Sequence, residues 1–266
     1  MGFIKTYEYD KNSFHEIGEY KYGKNWPVVY ILEGGKEAYV GETTDAYKRS
    51  HQHYHVPERN KLKSIHIIGD DEFNKSAALD IEALLIEYMS ADGIFKLQNG
   101  NAGLRNHKYY NKELYHDGKF ELIWKELQKN GLAEKNLIQI RNSDLFKFSP
   151  YKALTDDQLE IAKTIARQVL TEDNSSHMIK GEPGSGKTVL AVFLVKYFLQ
   201  MEKLADSNIG LVIPMTSLRK TLKAVFKGIK GLKAGMVIGP NDVVKKDYDI
   251  LIVDEAAREM RAVNWQ

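Results

Sequence analysis

Two short apolar runs flank a pair of glycines near the start of the chain. VVYIL and EAYV consist mostly of strong β-formers, and the glycines at 34–35 between them are a turn signal. The pattern predicts a β-hairpin over residues 28–40. If both glycines form a two-residue turn, Tyr30 lies directly opposite Tyr39, with the two Cβ atoms about 5 Å apart on one face of the sheet.

The periodicity then changes from that of strands to that of helices. TTDAYKRSHQHYH predicts a helix with Thr43 or Thr44 as its N-cap, and SIHIIGD predicts a third short strand. NKSAALDIEALLIEYMSADG predicts a long amphipathic helix. We expect this helix to be capped near Asn74 or Ser76 and to end at the Asp-Gly pair at 92–93.

Helical and apolar segments alternate in the last third of the chain. A helix after Thr155 is followed by the predicted strands SHMIK, NIGLVIP, GMVIG and YDILIVDE, with helices between the first three of them. Near-continuous apolar strands joined by helices indicate a parallel sheet with helical crossovers on both faces. The fold class predicted for the chain is therefore α/β. An α+β domain spans 1–104, a polar helical connector spans 105–149, and a parallel-sheet domain spans 150–266.

Composition excludes some functions and leaves others open. The 266 residues are 43% hydrophobic and 28% charged, with a formal net charge of +2, so any basic surface for nucleic acid is local. The absence of cysteine rules out disulfides and thiolate zinc sites. No apolar run is long enough to span a membrane, and no signal-peptide core follows Met1. These features predict a cytoplasmic protein with no membrane partner.

Chemistry-bearing residues gather in and after the hairpin. Arg49 and His53 are four residues apart, so a helix projects them from one side. Glu82 falls within an apolar stripe of the long helix, where a carboxylate needs a partner, a proton or a cation. Asp80 and Glu87 lie off that stripe and are expected to be solvated.

Two tyrosines, an arginine, a histidine and a carboxylate suit phosphodiester hydrolysis. Arginine can hold the phosphate and stabilise its developing charge. A carboxylate-bound Mg²⁺ can act as a Lewis acid, and a phenol or imidazole can take or relay a proton from the attacking water.

In these residues the first hundred positions resemble the GIY-YIG endonuclease family. The two signature triplets appear as VVY at 28–30 and YVG at 39–41. The resemblance implies a small antiparallel sheet flanked by helices and single-metal hydrolysis of DNA. It assigns catalytic roles to Tyr30, Tyr39, Arg49, His53, Glu82 and Asn99, with Glu82 as the Mg²⁺ ligand.

Some assignments within this resemblance stay open. The first triplet begins Val-Val rather than Gly-Ile, although its tyrosine carries the chemistry. His51 and His55 compete with His53 for the histidine role, and Asn101 competes with Asn99. Three nearby histidines are also a possible zinc site, but alternate residues do not line up on a helix.

A second motif is a phosphate-binding loop. GEPGSGKT at 181–188 has the pattern Gly-x4-Gly-Lys-Thr after an apolar run and before a helical one. Its glycines let backbone N–H groups wrap phosphates at a helix N-terminus. Lys187 is expected to reach the β- and γ-phosphates of ATP and Thr188 to ligate Mg²⁺. The predicted nucleotide-binding residues of the loop are Gly181, Gly184, Ser185, Gly186, Lys187 and Thr188.

An acidic pair follows the last predicted strand. In YDILIVDE, Asp254 ends a buried strand and is expected to hold the Mg²⁺ shell of the nucleotide. The adjacent Glu255 is placed to orient or deprotonate the attacking water. Such an acidic pair indicates a nucleotide site strongly only together with the upstream phosphate-binding loop.

This half resembles the first motor domain of superfamily 1 helicases, in particular Schlafen-group-3-like helicase domains. The resemblance places Gln158 at the adenine, and Thr216 and Arg219 are candidate nucleic-acid contacts, with a plain strand-to-helix turn as the alternative. Ala257 stands where the family carries a histidine that couples nucleotide state to the motor. Because the sequence stops at Gln266, we expect an incomplete motor that binds ATP-Mg²⁺ and hydrolyses it slowly.

Together the motifs predict a Mg²⁺-dependent DNA endonuclease attached to an ATP-binding, helicase-like domain, used in defence against foreign DNA or in repair. Cutting both strands with one metal centre would require a homodimer or two binding events. One alternative is a nucleotide-gated module that binds nucleic acid without cutting it. Another is cleavage of RNA, for which Tyr47, Tyr54, Tyr109 and Tyr110 offer stacking surfaces.

Overall fold

The structure is a computed structural model that describes residues 3–100, 109–152, 154–172 and 174–254. The chain divides into two compact units, Met1–Phe146 and Lys147–Gln266. Helices and strands are mixed in the chain, so the predicted α/β class is confirmed at this general level.

The first unit is built on a five-stranded sheet with the order β1-β4-β2-β3-β5. All neighbouring strands are antiparallel except β5, which runs parallel to β3. The strands are β1 (Ile4–Glu8), β2 (Val28–Gly34), β3 (Glu37–Thr43), β4 (Ser64–Ile68) and β5 (Lys96–Leu97).

Among the described residues, six α-helices and one π-helical segment begin within this unit. The helices are α1 (Phe14–Glu19), α2 (Ala46–Tyr54), α3 (Lys75–Asp92), α4 (Phe120–Lys129), α5 (Leu137–Asn142) and α6 (Asp144–Lys147), with the π-helical segment at Leu114–Lys119. Asn74 caps α3 and Gly93 ends it at φ +83°, as predicted. The predicted threonine cap of α2 is wrong, because Asp45 accepts from the Lys48 N–H, a bond that a carboxylate makes well.

Both faces of the sheet are covered. Residues 28–32 of β2 are all buried, and neighbouring side chains in a strand point to opposite faces. Val28, Tyr30 and Leu32 share one core with Phe14 and Ile17 of α1 and with Ala46 of α2. Helix α3 packs against β2 and β3 and covers the other face.

The hairpin exists, but its predicted register is wrong. Gly34 pairs with Glu37, so Gly35 and the residue after it form the turn, and Tyr30 lies opposite Gly41 rather than Tyr39. Gly35 has φ +63°, whereas Gly34 stays in the strand, where a side chain would meet the backbone at 61–63 within about 3 Å. Tyr39 and Gly41 point to one face, so the two tyrosines still share it, as a diagonal pair.

The prediction that Asp80 and Glu87 are solvated is wrong. Their exposed fractions are 1% and 2%, because α3 is enclosed on more sides than its apolar stripe suggests. Asp80 accepts a hydrogen bond from the Tyr109 hydroxyl at 3.1 Å, and Lys112 Nζ lies 3.9 Å from its other oxygen.

The segment predicted as a connector packs within the first unit. The ring of Tyr88 on α3 contacts Phe120, Trp124 and Phe146, with ring centroids 4.8–5.9 Å apart. The Glu126 carboxylate on α4 accepts hydrogen bonds from the backbone N–H groups of residues 3 and 4, at 2.7 and 3.1 Å. Helix α4 therefore completes the core and holds the beginning of the edge strand β1.

The second unit contains a parallel three-stranded sheet with the order β7-β6-β8. Thr155 and Gln158 form a capping box at the first helix, which confirms the predicted cap. The elements are α7 (Asp156–Thr171), α8 (Lys187–Leu199), β6 (Ile209–Val212), α9 (Thr216–Gly228), β7 (Val237–Ile238) and β8 (Ile250–Val253), with 3-10 turns at Glu202–Leu204, Ala234–Met236 and Pro240–Lys245.

Three of the four predicted strands are confirmed in this sheet. The fourth, SHMIK, is wrong, because residues 176–180 are not part of a strand. The side chain of Met178 is 67% exposed, so its apolar surface is not used in a sheet core. Within the part of the chain that the structure describes, no helix is both long and apolar enough to cross a membrane.

Candidate active site and phosphate loop

Tyr30 lies across the backbone of Gly41 on the neighbouring strand. A Cβ atom added to Gly41 would lie 2.3 Å from the Tyr30 hydroxyl oxygen and 2.5 Å from Cζ. Glycine at this position therefore leaves the space that the phenol ring occupies. The Tyr30 ring is 2% exposed, and its centroid is 6.2 Å from that of Tyr39.

The predicted arginine and histidine meet Tyr30 from α2. His53 Nε2 lies 2.6 Å from the Tyr30 hydroxyl oxygen, and Arg49 Nε donates to the same oxygen at 3.3 Å. Arg49 also donates to Gln52 at 3.1 Å, one turn further along the helix. The four-residue spacing of Arg49 and His53 thus brings both side chains to one phenol, as the helical periodicity predicted.

Tyr39 contributes to the same cluster through its ring, and a second arginine covers it. The Tyr39 ring centroid lies 5.1 Å from that of His53. The guanidinium of Arg59 stacks 3.8 Å above the Tyr39 ring, and its Nη1 is hydrogen-bonded to His53 Nδ1. Sequence reasoning missed Arg59, because it stands in the loop after α2, where no helical spacing relates it to the others.

The cluster is buried and rich in positive charge. Burial and the nearby Arg59 and Arg49 lower the pKa of His53 to about 3. Burial, with a contribution from Tyr39, raises the pKa of Tyr30 above its ordinary value, although Arg49 opposes this. At neutral pH the imidazole is therefore neutral and the phenol protonated.

Glu82 stands on α3 as a desolvated carboxylate. Its burial, and the second carboxylate of Glu42 on β3, raise its pKa to about 7, while attraction to Lys75 and Arg49 opposes the rise. Lys75 forms an ion pair with Glu42. The interaction with Arg49 links Glu82 to the tyrosine and histidine cluster.

The donors near Glu82 fit a partly hydrated divalent cation. Two close carboxylates, one of them with a raised pKa, are a place where a cation would stabilise the ionised form. Among the residues that the structure describes, no group of three or more histidine or acidic side chains could hold a metal. Mg²⁺ suits such a site, because it keeps several waters and often takes its other ligands from substrate phosphates.

Asn99 holds the strand of Tyr39 rather than opening into the cluster. Its side-chain Oδ1 accepts from the Val40 N–H at 3.0 Å, and its Nδ2 donates to the Val40 carbonyl at 2.8 Å. The amide thus makes the two hydrogen bonds to Val40 that a neighbouring strand would make, just after β5 ends. The geometry favours a positioning role for Asn99 over the catalytic role that the resemblance implies.

The competing residues have different surroundings. His51 packs against the rings of Phe14 and Tyr47, at centroid distances of 4.7 and 4.8 Å. His55 is an exposed residue at the end of α2. Of the three neighbouring histidines, His53 is the one in contact with Tyr30, and Asn101 lies outside the described residues.

In the second unit, the predicted phosphate loop leads directly into α8. Gly184 and Gly186 adopt φ +82° and +81°, a backbone region that favours glycine. Lys187, the first residue of α8, folds its ammonium back onto the carbonyls of Gly181 and Glu182 at 2.8 and 2.9 Å. The loop thus has the glycine-dependent backbone and the lysine that an anion site needs.

Thr188 and Asp254 meet although they are far apart in the sequence. The Thr188 hydroxyl donates to Asp254 Oδ2 at 2.8 Å, at the end of β8, and Asp254 is 6% exposed. A hydroxyl and a buried carboxylate side by side are oxygen ligands suited to Mg²⁺. The predicted partner of Asp254, Glu255, lies outside the described residues.

Gln158 joins the loop to the beginning of α7. Its Oε1 accepts from the Thr155 N–H at 3.1 Å, and its Nε2 donates to the Ser185 carbonyl at 2.8 Å. The predicted adenine-reading amide therefore contacts the phosphate loop, with one end fixed by the helix cap.

Arg219 supports a turn rather than presenting its donors outward. Its Nη1 donates to the carbonyls of Ile213 and Pro214 at 2.7 and 3.2 Å, and its Nη2 donates to Thr216 at 3.2 Å. The motif was interpreted either as a nucleic-acid contact or as a plain strand-to-helix turn, and these contacts favour the turn.

Comparisons with known protein families, with curated proteins and with solved structures found no match for this chain.

Proposed function

We propose that the first unit hydrolyses phosphodiester bonds in DNA as a Mg²⁺-dependent endonuclease of the GIY-YIG type. The observation that carries the proposal is that Arg49 and His53 both contact the phenol oxygen of Tyr30. Tyr30 and His53 are 23 positions apart in the sequence. Glu82, a desolvated carboxylate attracted to Arg49, supplies the expected metal ligand nearby.

In this proposal each side chain has a distinct task. The Arg49 guanidinium holds a non-bridging phosphate oxygen and offsets the charge that grows there. Glu82, with Glu42 beside it, would hold Mg²⁺, which when bound acts as a Lewis acid and supports the leaving oxygen. Tyr30, held by His53, orients the attacking water, and the proton that this water loses as its oxygen bonds to phosphorus passes to the solvent. The leaving deoxyribose oxygen takes up a proton from the solvent as its bond to phosphorus breaks.

Supercoiled plasmid incubated with Mg²⁺ tests this function directly. We expect nicked or linear product from the native chain, and a loss of at least a hundredfold in rate for Glu82→Gln. Glu121→Gln is the matched control, because Glu121 is exposed on α4 and forms an ion pair with Lys125 one turn away. Equal cutting by Glu82→Gln and the native chain would refute the site, and matched RNA and DNA substrates decide the substrate class.

We propose further that the second unit binds ATP with Mg²⁺, as a superfamily 1 helicase-like domain. The positive φ of Gly184 and Gly186, and the contact of Thr188 with Asp254, support this proposal. The Lys187 ammonium would exchange its two carbonyl partners for phosphate oxygens.

Binding of a fluorescent ATP analogue measures this second activity. We expect Lys187→Ala to weaken binding at least tenfold, whereas Lys203→Ala, at an exposed lysine outside the loop, leaves it unchanged. Plasmid cleavage with and without ATP then shows whether the nucleotide regulates the nuclease. ATP-dependent DNA binding without cleavage under any metal would favour the nucleotide-gated binding module.

A further inference from the structure

The loop between α2 and β4 carries an arginine on a rigid backbone. The Arg59 N–H donates to the Val56 carbonyl at 2.9 Å, and the Arg59 carbonyl accepts from the Leu62 N–H at 3.1 Å. The Val56 N–H is bonded to the His53 carbonyl at 2.9 Å. These successive turns fix Arg59 relative to the end of α2, and its side chain returns over Tyr39 to His53.

The contact with Arg59 determines which ring nitrogen of His53 carries the proton. A guanidinium has N–H donors and no acceptor. The Nδ1 atom of His53 must therefore accept from Arg59, which leaves the proton of the neutral imidazole on Nε2. That N–H points at the Tyr30 oxygen, 2.6 Å away, so His53 donates to Tyr30.

Tyr30 consequently receives two donors and cannot give its own proton to His53. Arg49 Nε donates to the same oxygen at 3.3 Å. In the other tautomer, with the proton on Nδ1, His53 would accept the Tyr30 hydroxyl and could serve as its base. Arg59 therefore selects between two opposite directions of the hydrogen bond between Tyr30 and His53.

We propose that Arg59 is a positioning residue that holds His53 in the Nε2–H tautomer and so makes it a hydrogen-bond donor to Tyr30. Its importance for catalysis rests on the proposed phosphodiester hydrolysis, whereas the tautomer itself does not. The groups that face His53 are Tyr30 from β2, Tyr39 from β3, Arg49 on α2 and Arg59 from the loop. The two arginines also oppose protonation of the ring, so both nitrogens do not become donors at neutral pH.

Nitrogen-15 NMR of the histidine side chains tests the proposal on the full-length chain, with His53→Asn used to assign the signal. In the native protein we expect the Nε2–H pattern, unchanged between about pH 5 and 8. In Arg59→Met we expect the ratio of Nε2–H to Nδ1–H tautomer to fall about tenfold or more, because a hydrogen bond from a charged donor is lost. Lys61→Met, an exposed residue in the same loop, is the matched control and should leave the pattern unchanged.

The conservative variant separates positioning from folding. Arg59→Lys keeps a charged donor, so we expect it to recover at least part of the Nε2–H population, while thermal unfolding reports the stability of each variant. In the cleavage assay, Arg59→Met should lower kcat more than it raises KM, because His53 then no longer holds Tyr30 as a hydrogen-bond donor. An Nδ1–H tautomer in the native protein, or an unchanged tautomer in a folded Arg59→Met, would overturn the proposal. A tautomer change without any nuclease activity would uphold the positioning role and count against the proposed function.

Discussion

The close approach of Tyr30 to Gly41 gives the sharpest prediction from the structure. In Gly41→Ala, the new methyl carbon would lie 2.3 Å from the Tyr30 oxygen and 2.5 Å from Cζ. Carbon atoms in contact are normally about 3.5–4.0 Å apart, so the ring must move by about 1 Å or more. The ring is buried, and its oxygen is held at 2.6 Å by His53, so this movement breaks the hydrogen-bond geometry of the cluster.

Two quantities follow from that displacement. Overpacking of a buried site costs about 1–3 kcal/mol, which we expect as a fall in the free energy of unfolding of Gly41→Ala in urea. A misplacement of about 1 Å in a catalytic group lowers a rate about a hundredfold, which we expect in the plasmid-nicking assay. The loss of activity should be larger than the unfolded fraction of the variant accounts for, because the variant remains folded under the assay conditions, without urea.

Gly118→Ala is the matched control for this substitution. A Cβ atom on Gly118 meets nothing within 4 Å, and the residue lies in the exposed part of the π-helical segment. It should leave stability unchanged or slightly increased. The double variant Gly41→Ala with Tyr30→Phe removes the closest contact. The loss of unfolding free energy in the double variant should therefore be smaller than the sum of the losses in the two single variants. A fully stable, fully active Gly41→Ala protein would refute the account of why this strand needs glycine.

Three further predictions concern single side chains. Because the folded-state pKa of Glu82 is raised from 4.5 to about 7, the metal-free protein should lose stability as the pH rises through this range, and Glu82→Gln should flatten the change in urea unfolding. Asn99→Ala should lower the free energy of unfolding by about 2–4 kcal/mol, because the Val40 N–H and carbonyl lose their partners. Thr188→Val should weaken Mg²⁺-dependent ATP binding about tenfold, whereas Thr188→Ser should retain it, since the serine hydroxyl can still reach Asp254.

Each of these three predictions has an outcome that contradicts it. A pH profile of stability identical in Glu82→Gln and the native protein would show that Glu82 is solvated. Asn130 offers a control for Asn99, because its amide bonds an exposed helix carbonyl and should cost little when removed. A loss in Asn99→Ala no larger than in Asn130→Ala would contradict the strand-locking role. Equal ATP binding by Thr188→Val and the native chain would show that Thr188 is not a ligand of the nucleotide's Mg²⁺.

Local patterns predicted the elements of the fold better than their register. Alternation and helical spacing found β2, β3 and the caps of α3, because these depend on neighbouring residues. The register of the hairpin depended on the backbone of residues 61–63, which excludes a side chain at Gly34, and that approach is set by the tertiary fold. The strand predicted at 176–180 failed because a short apolar run becomes a strand only where a partner strand is present.

The residues of the candidate sites were predictable where helix periodicity or a contiguous motif places them together. Arg49 and His53 project together because they stand one turn apart, and the phosphate loop is a contiguous motif. The contact of Arg59 with His53 arises from a loop whose path has no sequence period. The burial of Asp80 depends on segments that pack on α3 from far along the chain, such as Tyr109.

The packing of α4 against α3 determines how much chain an isolated nuclease fragment would need. A fragment cut at residue 104 would lose Phe120 and Trp124, each 1% exposed, and uncover the ring of Tyr88 that they contact. It would also lose Glu126, and with it the anchor of the edge strand β1. Bare aromatic surface and a loosened strand edge are features that lead to aggregation during expression. A soluble fragment for binding or crystallisation work should therefore extend to Phe146, the end of the first compact unit.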